Sequence, residues 1–142
     1  MDVPYYEWDG RPGRESKELT PLHEALHAAV VQILGGTTYE ITIDDSGGGE
    51  TTLDELEPRW QDLAVTLAPA LIGDISRSDA KYLRRQNSRR RGYAWGWLKR
   101  NRRRIMRRAN AIAGEMGRPP GKLKWDPERT RWIWKHRKRK KR

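Results

Sequence analysis

The sequence predicts an α+β protein that is mainly helical and contains one small β-hairpin. Apolar residues recur at helical spacing in residues 20–33, 57–72 and 93–116, whereas residues 37–43 alternate polar and apolar side chains. With 142 residues, of which 35% are apolar, the chain has room for one modest core, formed by a helical bundle beside the hairpin. We therefore expect an irregular lead-in (1–18), a folded domain (19–134) and a disordered basic tail (135–142).

The first predicted helix carries the chemical motif of the chain. Its sequence, TPLHEALHAAVVQILGG, places His23, Glu24 and His27 in an H-E-x-x-H arrangement, with Thr20 suited to cap the helix and Gly35 to end it. Residues four apart lie on one helix face, so both imidazoles can bind a single ion, and Zn²⁺ is the expected metal. Glu24 lies about 100° round the helix from His23, which suits it to act as a base. The alternative is a half-exposed histidine pair without a metal.

The remaining elements follow in order. After the strand at 37–43, a Gly-rich turn (44–49) leads to a short return strand (50–53). The helix at 57–72 contains Pro69, which predicts a kink. Ser78 is suited to cap a further helix from Asp79 towards Arg90. The helix at 93–116 ends at GRPPG, and we expect a last short helix over residues 126–135.

A catalytic zinc site needs three protein ligands and one open position. The chain has no cysteine, so the ligands must be imidazole and carboxylate. Because His136 lies in the predicted tail, the third ligand should be a downstream carboxylate, and Asp74 and Asp79 are the candidates. Either aspartate could instead be a helix cap or a turn residue.

The order of these motifs resembles the peptidase domain of the FtsH-type zinc metalloproteases, which is zincin-like. The resemblance rests on HEALHAAVVQILGG, on YEITI with the turn GGGETT, and on LAVTLAPALIGDISRSDAKYL. In that family a distal Asp just before a helix completes the metal site, and Ser78-Asp79-Ala80 is the matching position. The resemblance implies that His23, His27 and Asp79 bind zinc and that Glu24 is the general base of peptide hydrolysis. The chain departs from the family at Leu26, which replaces a glycine, and at residues 69–71, which lack an Ala-Ala-Glu.

The resemblance also implies partners. The family's ATPase module and membrane anchor have no counterpart in this sequence, so we expect a reduced, soluble, cytoplasmic peptidase that depends on a separate ATPase partner to unfold its substrates. No window approaches the ~20 apolar residues of a membrane span, and the first residues do not form a secretory signal. The protein or peptide substrate is expected to add itself as a strand beside an exposed strand such as residues 39–43.

The charge distribution supports a competing hypothesis, a basic nucleic-acid-binding protein with a degenerate or structural metal site. Residues 1–74 have a net charge of −11 and residues 75–142 a net charge of +22. Arginines in the basic half would neutralise phosphates, and exposed indoles would stack on single-stranded bases. The predicted contacts are Arg89, Arg90, Arg91, Trp95, Trp97, Arg102, Arg103 and Arg104. In the opposite interpretation the tryptophans are core residues and the charges balance the acidic half.

Overall fold

The computed structural model describes residues 17–138 and confirms an α+β architecture, with helices packed against a four-stranded antiparallel sheet. The elements in chain order are α1 (Thr20–Ile33), β1 (Thr38–Ile43), β2 (Gly49–Leu53), α2 (Arg59–Leu67), α3 (Arg77–Arg84), α4 (Ser88–Arg100), α5 (Arg102–Gly114), β3 (Gly121–Asp126) and β4 (Arg131–His136). Most of the predicted lead-in and the last four residues of the predicted tail lie outside the described residues. No helix in the described range is long and apolar enough to cross a membrane.

Helix α1 lies at the centre of the described structure. It contacts α2, α5, β1 and β2, and its side chains from residue 24 to residue 31 are buried except that of His27, which is partly exposed. The helix begins at Thr20, but the cap position is Leu19, so the prediction that Thr20 caps the helix is wrong. The Thr20 hydroxyl instead donates a hydrogen bond of 2.6 Å to the carbonyl oxygen of Gly47. This bond ties the first turn of α1 to the loop between β1 and β2.

The predicted hairpin is confirmed, and it forms one side of the sheet. The strand order is β2-β1-β3-β4, so β1 is paired antiparallel on both sides. Ile41 and Ile43 are buried, as the alternating pattern of this strand predicts. Strand β2 is an edge strand, and its outer edge is not paired with another strand of residues 17–138.

The predicted helix over residues 126–135 is wrong, because this stretch turns and returns as β4. The Asp126 carboxylate accepts hydrogen bonds from the backbone N–H groups of Glu128 (3.0 Å) and Arg129 (3.2 Å). An Asp that bonds its own following backbone in this way closes a turn. Strand β4 then pairs with β3 along its whole length.

The prediction of a disordered tail over residues 135–142 is wrong for its first two residues. Lys135 and His136 belong to β4, where they pair with Lys122 and Gly121 of β3. Both side chains are exposed. His136 is therefore held in a strand that does not line the cleft around His23 and His27.

The helix predicted at 57–72 is interrupted near Pro69, as expected. The α-helical part ends at Leu67, and a 3-10 helix continues over Ala68–Ile72. Proline lacks the N–H group that an uninterrupted α-helix needs. Gly73 then adopts a left-handed conformation (φ 68°) and turns the chain towards Asp74.

The helices that follow are shorter than predicted. Helix α3 begins at Arg77, and its cap is Ser76 rather than Ser78: the Ser76 hydroxyl oxygen accepts a hydrogen bond from the N–H of Asp79 at 3.2 Å. The stretch predicted as one helix at 93–116 belongs to two helices, α4 and α5, which meet at Asn101. The Asn101 side chain donates to the carbonyl oxygen of Trp97 at 2.8 Å.

Candidate metal centre

Helix α1 presents His23 and His27, and both imidazoles are oriented through their Nδ1 atoms. His27 Nδ1 lies 2.7 Å from the carbonyl oxygen of Val65. A carbonyl oxygen can only accept, so this Nδ1 carries the hydrogen. His23 Nδ1 lies 3.0 Å from Oδ2 of Asp74, a buried carboxylate that accepts in the same way. Both Nε2 atoms are therefore left to bind a cation, an arrangement typical of metal-binding histidines.

The separation of the two Nε2 atoms tests whether zinc fits. They face each other at 3.3 Å. Two ring nitrogens that both lack hydrogen are repelled at this distance unless a cation or a shared proton lies between them. Zn–N bonds of 2.0–2.1 Å at the tetrahedral angle put two ligand nitrogens about 3.3 to 3.4 Å apart. The observed separation therefore matches the distance between two nitrogens bound to one tetrahedral zinc ion.

Asp79, in the first turn of α3, is the third member of the cluster. Its Oδ2 lies 3.9 Å from His27 Nε2, and one ligand atom from each of His23, His27 and Asp79 lies within 4.8 Å of the others. The Asp79 side chain is 29% exposed. Of the two candidate aspartates, Asp79 therefore lies among the histidine nitrogens, and Asp74 lies behind His23.

Glu24 lies beside the cluster with its two carboxylate oxygens in different environments. Oε1 accepts a hydrogen bond of 2.8 Å from the Thr51 hydroxyl, whereas Oε2 lies 3.9 Å from His23 Nε2. Burial raises the pKa of Glu24 above its ordinary value, although nearby His23 and the Thr51 hydroxyl oppose the shift. Burial also lowers the pKa of His27, which favours the neutral imidazole that a metal needs.

The cluster opens into a cleft of about 710 Å³ between α1, the β1–β2 hairpin and the segment that enters α3. The hairpin loop is ordered by Asp44, whose Oδ1 accepts from the N–H groups of Ser46 (3.1 Å) and Gly48 (2.7 Å). A Cβ atom at Gly49 would lie 2.9 Å from Glu24 Cγ. Glycine at this position therefore lets β2 approach the glutamate.

The residues predicted to contact nucleic acid have different roles. Trp95 is 8% exposed and belongs to the core, so the prediction that its indole stacks on bases is wrong. Trp97 packs against Trp60, with ring centroids 5.9 Å apart. The guanidinium of Arg91 donates to the carbonyl oxygen of Leu83 at 2.8 Å and so stabilises the end of α3. The other predicted contacts are exposed or partly exposed arginines at the starts of α4 and α5: Arg89, Arg90, Arg102, Arg103 and Arg104.

The sequence does not predict the roles of three groups that hold the site residues in place: the Thr51 hydroxyl, the Val65 carbonyl and the Asp74 carboxylate. Thr51 and the Val65 carbonyl carry no motif, and their roles depend on the packing of β2 and α2 against α1. The sequence offers Asp74 as a metal ligand, a helix cap or a turn residue, and not as the partner of His23. This role does have a signal in the sequence. The ring N–H of a metal-binding histidine that faces away from the metal needs an acceptor, and the chain offers two aspartates in this region.

Comparisons of the chain with protein-family models, with curated proteins and with solved structures found no match. The resemblance to FtsH-type peptidases therefore stays a prediction from the motifs. The function of the chain has to be inferred from the geometry of the cleft.

Proposed function

We propose that the chain is a zinc-dependent metallopeptidase, as the resemblance to the FtsH-type peptidase domain implies. The observation that carries the proposal is the convergence of two oriented Nε2 atoms, 3.3 Å apart, with the Asp79 carboxylate and a buried glutamate. His23, His27 and Asp79 would hold the metal. When bound, zinc supplies a Lewis acid that polarises a carbonyl group and makes water more acidic.

Glu24 is the general base in this proposal. Its Oε1 is held by Thr51, so Oε2, on the side of His23, remains to accept a proton from the attacking water. The same oxygen then returns the proton to the nitrogen of the leaving amine. The raised pKa of Glu24 makes its carboxylate a stronger proton acceptor than an exposed glutamate.

The substrate is proposed to bind along β2. The prediction that residues 39–43 receive the substrate is wrong, because β1 is paired on both sides. Strand β2 has an unpaired outer edge within the described structure, and Gly49, Glu50, Thr51 and Leu53 line the cleft. An extended peptide can add to such an edge through backbone hydrogen bonds. A folded substrate would first have to be unfolded, by a separate ATPase partner as the resemblance implies.

The test combines metal content with cleavage of an unfolded protein such as casein. We expect zinc in the wild-type protein by elemental analysis, and cleavage that stops when zinc is removed and returns when it is restored. Glu24→Gln should keep the zinc and lose about a hundredfold or more of the cleavage rate, the usual contribution of a positioned base. Glu55→Gln is the matched control, because Glu55 is an exposed glutamate that does not line the cleft, and it should stay active.

Two results would overturn the proposal. A wild-type protein that takes up no zinc even after reconstitution would remove the metal site. Undiminished cleavage by Glu24→Gln would exclude Glu24 as the base.

A further inference from the structure

A second recess, of about 690 Å³, lies between α5 and the β3–β4 hairpin. We call it the Arg–Trp groove, after the wall residues Arg104, Arg107, Arg108, Trp125 and Trp132. Gln32, in the last turn of α1, also lines it. His27 and His23 lie five and nine residues earlier in α1, so about 8 to 14 Å along the helix axis separates the metal-cluster histidines from this groove.

The two tryptophans of the Arg–Trp groove form an aromatic wall. Trp125 and Trp132 are directly opposite each other in the β3–β4 register, and their rings meet edge to face with centroids 5.4 Å apart. Both are partly exposed, unlike Trp95, which lies in the core. Indole surface that borders a recess is available to stack on a flat ligand.

The three arginines of the Arg–Trp groove lie on α5 and are all exposed. Arg104 and Arg108 are four residues apart and therefore share a helix face. Arg108 donates a hydrogen bond of 3.2 Å to the Gln32 side chain. Within residues 17–138, none of the three forms an ion pair with a carboxylate. Among the residues that the structure describes, Glu115 is the only acidic one on the wall, so this part of the groove carries an excess of positive charge.

We propose that the Arg–Trp groove binds single-stranded nucleic acid. The guanidinium groups would bind phosphates, and Trp125 and Trp132 would stack on bases. Stacking on a side wall requires a base with an open face, which a duplex does not offer. Of the contacts predicted from the sequence, only Arg104 belongs to this groove.

The test titrates the protein with an oligothymidylate of about 12 nucleotides, within the ~4–16 nucleotides that single-strand sites span. Binding is followed by fluorescence anisotropy of the labelled oligonucleotide at several salt concentrations. Arg104→Gln with Arg107→Gln should weaken binding about tenfold or more and flatten the salt slope by about 1.4, because each phosphate contact to a single strand contributes about 0.7. Arg89→Gln with Arg90→Gln, an equal change of exposed charge on α4, should change the affinity by no more than about twofold.

Trp132→Leu separates stacking from charge. It should weaken binding about tenfold, because a base loses the indole on which it stacks, and it should leave the salt slope unchanged. If this variant does not fold, the arginine pairs still decide the question, because all four side chains are exposed.

Four results would overturn the inference. These are no binding by the wild type at low salt, equal losses in the two arginine pairs, equal affinity for the matching duplex, and equally tight binding of poly-glutamate. The last two would show an affinity for negative charge without recognition of exposed bases.

Discussion

The geometry of the two aspartates predicts that they affect zinc binding to different degrees. Asp74 contacts His23 Nδ1 at 3.0 Å and is 4% exposed, so Asp74→Asn keeps an acceptor for that nitrogen but removes the charge behind it. Changes to such outer partners typically weaken metal affinity 10- to 100-fold, which corresponds to about 1.4–2.7 kcal/mol. Asp79→Asn removes a proposed ligand itself and should weaken binding by more than about a hundredfold.

The assay is competition for zinc against a fluorescent chelator at neutral pH, with each variant checked for folding by urea denaturation. Asp62→Asn is the matched control. Asp62 is also partly buried, and its pKa is raised by that burial, but it does not line the cleft. We expect its zinc affinity to equal that of the wild type.

The ranking of the zinc affinities of the three variants decides which aspartate is a metal ligand. If Asp74→Asn loses as much affinity as Asp79→Asn, Asp74 is itself a ligand and the division between ligand and supporting residue is wrong. If Asp79→Asn binds zinc like Asp62→Asn, Asp79 is not a ligand. A ranking of Asp79, then Asp74, then Asp62 agrees with the geometry.

Further predictions concern stability and proton binding. Gly92→Ala should raise the free energy of unfolding by about 0.5–1 kcal/mol, because Gly92 lies within α4 and nothing lies within 4 Å of its missing Cβ. Gly121→Ala should lower the free energy of unfolding by about 1–3 kcal/mol, because the new Cβ meets the indole of Trp134. Urea denaturation measures both changes, and a change of the same sign in the two variants would contradict the reasoning. The Tyr39 hydroxyl donates to Asp54 at 2.6 Å, which raises the pKa of Tyr39 and lowers that of Asp54. Stability from this pair should therefore be lost as pH rises through the raised Tyr39 pKa or falls through the lowered Asp54 pKa. Asp54→Asn should return the Tyr39 pKa, followed by NMR, towards its ordinary value, and an unshifted titration would refute the link.

The sequence predicts those elements whose signal is local. The apolar pattern of α1, the alternation of Ile41 and Ile43 in β1, and the break at Pro69 each follow from residues within one element. Strand β3 carries the same kind of alternation, with Leu123 buried between the exposed Lys122 and Lys124. That alternation is short, and β3 pairs with β1 from about 80 residues earlier in the chain. Such a partner cannot be identified from local pattern.

The false helix at 126–135 has a chemical cause. Asp126 accepts hydrogen bonds from the N–H groups two and three residues later. A helix cap makes the same kind of bond, so Asp followed by Pro127 predicts either a turn or a helix start equally well. The pairing of β3 with β4 across the turn, in which Trp125 lies opposite Trp132, distinguishes the two.

The residues of the candidate site also differ in whether their signal in the sequence is local. His23, Glu24 and His27 are predicted by spacing within one helix, because four residues return the chain to the same face. Their partners Asp74 and Thr51 come from other elements, 51 and 27 residues away along the chain. Nothing in the spacing of a helix specifies which carboxylate or hydroxyl will pack against it, and tertiary structure has to supply that information.

The distribution of charge explains how one small chain could serve a metal and a polyanion. Four carboxylates of the described residues line the cleft, Glu24, Glu50, Asp74 and Asp79, and they attract a cation and repel phosphate. Within the same part of the chain, the Arg–Trp groove carries three arginines against one glutamate, so it has the opposite preference. In the proposed complex, a phosphate chain in the groove would lie beside Gln32, about 8 Å along the helix axis from His27 and about 14 Å from His23. Phosphate oxygens are hard ligands, so charge repulsion by the carboxylates of the cleft, rather than distance alone, would disfavour their competition for the proposed metal.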